Sequence, residues 1–142
     1  MDDLKCTGTE AALTSTLDKL SALFGKLTID RNCFDHCGLR HEQDVKTFAI
    51  KVHQNHYVVG LKTIDISSLD LSDENVKVPE AMIKSYQSLL GGLGWLIQTR
   101  QDITIYVQAL QRHNLLPSIA NGLRMNKVCC WVKRRPIFLL YE

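Results

Sequence analysis

The feature that most constrains how this chain can fold is an apolar stripe in its second half. Met82, Tyr86, Leu89, Leu90, Leu93 and Leu96/Ile97 recur at helical spacing, and Pro79 suits the first turn of the helix they imply. A stripe of this kind has to be covered by another element. Gly91, Gly92 and Gly94 interrupt it. Each glycine costs about 1 kcal/mol relative to alanine inside a helix, so the three are expected to admit close packing of another backbone.

The same periodicity defines the neighbouring elements. From Thr9, Leu13, Leu17, Leu20 and Phe24 recur at i, i+4, i+7 and i+11, which predicts a helix with Thr9 as N-cap and Gly25 as stop. Phe34 to Gln43 and Thr47 to His53 read as the two arms of a hairpin around a polar turn at Asp44, Val45 and Lys46, with Phe48, Ile50 and Val52 alternating in the second arm. Asn55 to Ile64 fits a short helix carrying Tyr57, Leu61 and Ile64 on one face. The Ser/Asp-rich stretch from Asp65 to Lys77 then reads as a linker.

Beyond the stripe, Asp102 is placed to cap a helix that buries Ile103, Val107 and Leu110 and ends at Asn114 and Pro117. A last helix starts near Ser118. It sets Met125, Val128, Cys129 and Val132 on one face and Arg124, Lys127 and Trp131 on the other, and Pro136 introduces a terminal strand, Ile137 to Tyr141.

Composition narrows the class without naming a function. Hydrophobic residues at 45%, charged residues at 23% and a net charge of +2 describe an ordinary globular protein, and 142 residues suffice for one domain or one piece of a larger one. No apolar run approaches the ~18 to 20 residues of a membrane span, and Met-Asp-Asp lacks the pattern of a signal peptide. The expected location is therefore cytoplasmic or nuclear, with no membrane partner. The odd count of 5 cysteines argues for reduced thiols rather than a disulfide framework.

Several segments, taken in order, resemble the copia-type retrotransposon reverse transcriptases. Met1-Asp2-Asp3-Leu4 looks like that family's aromatic-x-Asp-Asp-Leu box without its aromatic, and Glu10 to Phe24 looks like the helix that follows it. Asp35 to Glu42 is similar to a family strand built around a glycine, here Gly38. Phe48 to Val58 resembles the Ile-x-Leu-x-Gln-x-x-Tyr-Ile segment, with Gln54 and Tyr57 in register. The strongest match is Tyr86-Gln87-Ser88-Leu89-Leu90-Gly91-Gly92-Leu93 followed by Thr99-Arg100-Gln101-Asp102-Ile103, which resembles the Tyr-Arg-Ser-x-x-Gly-x-Leu and Thr-Arg-Pro-Asp-Ile pair. Lys127 to Lys133 and Leu139-Leu140-Tyr141 are similar to its Leu-Arg-Tyr-Leu-Lys and Leu-x-Tyr ending. Gln101 and Gln87 depart from the usual proline and arginine.

That resemblance implies the C-terminal portion of a reverse transcriptase, from the Asp-Asp box onward. The implied fold is α+β: a palm-derived antiparallel hairpin with flanking helices over residues 1–66, a linker over 67–78, and a mainly helical thumb-like or connection-like region over 79–142. Asp2 and Asp3 would be catalytic and would bind Mg²⁺, Asp2 as the direct ligand. The implied activity is RNA-directed DNA synthesis on an RNA/DNA template-primer. The third carboxylate and the fingers precede the box in this enzyme class, so these residues are expected to be inactive alone. Surfaces that the rest of the palm would cover favour self-association.

Residue chemistry supplies the remaining candidates. After position 121 the cations Arg124, Lys127, Lys133, Arg134 and Arg135 face a single carboxylate, Glu142. Arg124, Lys127, Trp131 and Arg135 are accordingly candidates for nucleic-acid binding, because cations neutralise phosphates while an aromatic offers a stacking surface. The alternative for this face is a solvated helix surface with Trp131 partly in the core, and the alternative for the chain is a noncatalytic nucleic-acid- or protein-binding α+β domain. Arg100, in the Thr-Arg-x-Asp element, could pair with Asp102 or a phosphate, and a structural role capping the helix is the one expected. On one strand Cys33, Cys37 and His41 would project together, but zinc spacing requires a second close pair, and only the loose His53 and His56 follow.

Overall fold

A computed structural model describes residues 4–142. Asp2 and Asp3 lie outside the described residues, so the expected metal pair has no structural description. The fold is α+β. In chain order the elements are α1 (Glu10–Phe24), β1 (Cys33–His36), β2 (Leu39–Gln43), β3 (Ile50–His53), α2 (Asn55–Gly60), α3 (Glu80–Leu96), α4 (Thr104–Gln111), α5 (Ile119–Arg134) and β4 (Leu139–Tyr141).

The strands form one antiparallel sheet in the order β1-β2-β3-β4. Here the structure corrects the reading of Phe34 to Gln43 as a single arm, because that stretch is itself a hairpin. Its two-residue turn is Cys37 (φ 50°) and Gly38 (φ 73°), both in the left-handed region, as the tightest hairpin connections require. Gly38 meets a second demand there. A Cβ at this position would come within 3.2 Å of the Trp95 ring of α3.

The polar turn at Asp44 is present. The Asp44 carboxylate accepts the backbone N–H groups of Lys46 and Thr47, each at 2.8 Å, and these bonds hold it below the usual carboxylate range. Phe48 belongs to this turn, at φ 61°, and not to the alternating strand. The true alternation aligns one row of partners across all four strands, buried at His41 and Val52 and half-buried at Phe34 and Leu139: Phe34 opposite His41, His41 opposite Val52, and Val52 opposite Leu139. The Phe34 and His41 rings stack with centroids 5.1 Å apart.

The helical stripe behaves as expected. Tyr86, Leu89, Leu90, Leu93 and Leu96 of α3 are buried against Ile103, Val107 and Leu110 before and within α4, and against Met125, Cys129 and Val132 of α5. Val58, Leu61 and Ile64 belong to the same cluster. Of the three glycines only Gly92 admits a close neighbour, since an added Cβ would meet Leu61 Cδ2 at 2.8 Å and the Tyr57 hydroxyl at 3.2 Å. Gly91 has open space beside it.

Polar pairs then join the parts. Thr99 Oγ1 donates to buried Gln54 Oε1 at 2.9 Å, linking the segment after α3 to the end of β3. Asn126 of α5 bonds both backbone groups of Ile64, at 2.8 Å each. The Asp65 to Lys77 stretch carries no helix or strand, and its end is pinned where Ile119 N donates to Val76 O at 2.9 Å. No helix among the described residues is long and apolar enough to cross a membrane.

Candidate nucleic-acid interface

The site grows from the way α5 is fixed at both ends. At its start, the Ser118 side chain accepts the Asn121 backbone N–H, while the Ser118 backbone N–H donates to Asn121 Oδ1 at 2.9 Å in a reciprocal capping box. At its end, Arg100 takes the place of water. This arginine is only 2% exposed, and its Nη1 donates to the carbonyls of Val132 at 3.2 Å and Arg135 at 2.8 Å. Those carbonyls sit at the negative pole of the helix and have no partner within it, so a guanidinium there satisfies both geometry and charge.

Arg100 also grips Asp102. Its Nε and Nη2 each donate to one carboxylate oxygen at 2.9 Å. Arg100 therefore pairs with Asp102 and caps a helix, but the helix is the distant α5, at its C-terminus, rather than the neighbouring α4. Asp102 was expected to cap the following helix and does not; a 3₁₀ turn, Gln101–Ile103, leads into α4 with no side-chain cap. Instead Asp102 Oδ2 accepts from the Trp131 indole Nε1 at 3.2 Å. The hydrogen bond from Arg100, aided by that from Trp131, holds Asp102 below the ordinary carboxylate range against the opposing effect of burial.

Trp131 is thereby oriented from two sides. Its Nε1 is tied to Asp102, and the Arg135 guanidinium lies over the ring, 4.0 Å from the centroid. The ring stays 45% exposed. Beside it, α4 and α5 enclose a cleft of about 600 Å³. Buried Ile103 and Leu110, with half-buried Val128, form its floor; exposed Tyr106, Arg124, Lys127 and Trp131 form its rim.

The cleft thus brings together three of the four residues singled out for nucleic-acid binding, and the fourth, Arg135, stacks on one of them. Arg124 and Lys127 have no hydrogen-bonded or ion-paired partner among the described residues, whereas the one carboxylate lining the cleft, Asp102, is already engaged by Arg100. Sequence reasoning missed Tyr106 of α4 and His113 in the turn after it, both of which line the cleft. The available signal for Tyr106 was its place four residues before Leu110, beside the face that α4 buries.

The Cys/His cluster is not assembled. The Cys37-Gly38 turn removes Cys37 from the strand face, Cys33 pairs opposite Glu42, and among the described residues no three His, Cys, Asp or Glu side chains converge as metal ligands. Cys129 is fully buried, and burial pushes its thiol pKa up. No family model, curated protein or solved structure matches this chain.

Proposed function

We propose that this chain is a segment of a copia-type reverse transcriptase whose α4/α5 face binds nucleic acid, and that these residues by themselves do not polymerise. The observation that carries the binding reading is the oriented Trp131 on the rim of a cleft whose cations, Arg124 and Lys127, lack acidic partners among the described residues. An unpaired cation beside an exposed aromatic is the combination that phosphate and base together satisfy.

Support for the lineage comes from where the family-like segments fall. Gln54 bonds Thr99, and Gly92 lies against Tyr57, so three separate motifs contribute to one packed junction. In that lineage Asp2 and Asp3 would take Mg²⁺. A two-metal site of that kind needs a further palm carboxylate besides this pair.

Fluorescence anisotropy with a labelled oligonucleotide tests the binding reading. Affinity is expected to fall steeply with salt, and joint replacement of Arg124 and Lys127 by alanine is expected to weaken binding and flatten the salt slope by about one unit per cation. Salt-independent binding, or none, would remove it. Primer extension with Mg²⁺ is expected to give no product above background, unchanged by Asp2→Asn; extension sensitive to that substitution would overturn the claim that these residues are silent alone.

A second reading, a protein-binding or self-associating face, is favoured by α1, none of whose residues is buried although Leu23 and Phe24 are apolar. A sedimentation coefficient independent of concentration would count against self-association.

A further inference from the structure

The geometry points to the α4/α5 cleft as a receptor for an unpaired nucleobase, so that the chain engages single-stranded DNA or RNA in preference to duplex. This rests on the nucleic-acid reading above and specifies what the cleft accepts.

Charge alone would need no cleft. A cationic surface tracks the phosphates of single and double strands alike, and the cations along the outer side of α5 suffice for that. The cleft adds an apolar floor, Ile103, Leu110 and Val128, below the level of those cations. A duplex has nothing to place there, because its bases are stacked on one another and present only their edges in the grooves. An unpaired base does, since both of its faces are free to leave water.

The rim suits the same occupant. Tyr106 from α4 and Trp131 from α5 are exposed aromatic side chains lining the cleft, and at about 600 Å³ it falls within the ~300–1,000 Å³ range of small-molecule sites. Trp131 is positioned before any ligand arrives: Asp102 holds its Nε1, Arg100 holds Asp102 with two bonds, and Arg135 covers the ring. Fixing the ring in advance removes an ordering cost that a loose aromatic would incur on binding. Arg124 and Lys127, on the α5 side, are placed for the phosphates flanking an inserted base.

The test compares the full chain on three labelled probes of about 12 nucleotides, a length within the range one single-strand site covers: a single strand with bases, an abasic strand with the same phosphates, and a duplex. The base-bearing strand is expected to bind roughly ten-fold or more tighter than the other two, in its DNA and RNA forms. Tyr106→Ala and Trp131→Ala should each bring it down towards the abasic strand, and Trp131→Phe should restore most of the difference, an outcome that loss of folding would not produce. A single strand carrying 5-iodouracil should crosslink on illumination to Tyr106 or Trp131. Equal affinity for all three probes, or a preference for bases untouched by both alanine variants, overturns base insertion while leaving phosphate binding intact. Failure to bind any probe overturns both readings.

Discussion

Helices α1 and α3 carry nearly the same apolar period and meet opposite fates. In α1, Leu13, Leu17 and Leu20 are no more than half-buried, and Leu23 and Phe24 are largely exposed. In α3, Tyr86, Leu89, Leu90, Leu93 and Leu96 are buried. Periodicity therefore says which face of a helix would be covered, and the presence of a partner decides whether it is. For α3 the partners are α2, α4 and α5, which follow or precede it closely and share its core.

Emptying the α3 core has the largest expected effect. Leu93 is 0% exposed, so Leu93→Ala removes a fully buried side chain and leaves a cavity, with an expected loss of about 3–5 kcal/mol in urea unfolding. The matching change in α1, Leu17→Ala, is expected to cost under about 1 kcal/mol. Equal losses would mean that α1 is packed on something and that the contrast is false.

Arg100→Ala is the next largest. It frees the Val132 and Arg135 carbonyls and leaves Asp102 with the Trp131 hydrogen bond but no cation; because Asp102 is 34% exposed, water recovers part of its solvation. The expected loss is near the low end for a broken buried pair, about 3 kcal/mol. A pH titration sharpens the assignment. Asp102 has its pKa depressed in the folded state, so its contribution is complete above the unfolded value of about 3.9 and is lost as pH falls through the lower folded value. The stability difference between the native chain and Asp102→Asn should therefore shrink from pH 6 to pH 3. A difference that stays constant or grows would exclude the carboxylate as its source.

Within α3 the glycines give a smaller and more local comparison. Gly91→Ala meets open space and is expected to stabilise by about 0.5–1 kcal/mol through helix propensity. Gly92→Ala gains the same propensity but drives a Cβ to 2.8 Å from Leu61, and the repacking should cancel or exceed that gain. Thermal unfolding that ranks Gly92→Ala at or above Gly91→Ala would show that α2 does not sit against α3 as described.

How much of this was legible in the sequence follows from the range of the forces involved. The α1 cap at Thr9, the α5 start at Ser118, the α3 stripe and the terminal strand depend on neighbours a few residues away and read correctly. The hairpin within Phe34 to Gln43 was missed because Cys37-Gly38 is a weak turn signal, and the second demand on Gly38, the nearby Trp95 ring, comes from far along the chain. Asp102 was misassigned for a similar reason: a local cap competes with Arg100 two residues away and with Trp131 on another helix, and the distant pair prevails. Arg124, Lys127 and Trp131 were visible as a basic, aromatic-bearing face of α5. The α4 half of the cleft was not, since only packing of α4 beside α5 brings Tyr106 next to them.

The smallest expected effect lies at the exposed end of α1. Phe24 is 76% exposed at the end of α1, where Gly25 stops the helix and the Gly25 N–H bonds Ser21 O at 2.9 Å. Phe24→Ser takes away an aromatic ring that buries little in the folded chain, so its stability is expected to change by no more than about 0.5 kcal/mol. An exposed phenylalanine is nonetheless a contact for any second surface, and its removal should lower the tendency to associate at high concentration if α1 is where association occurs. Light scattering and urea unfolding on the same variant separate the two quantities. A loss of several kcal/mol would place α1 in the core after all, whereas unchanged stability with reduced association would show that the α1 stripe faces outward and acts between molecules.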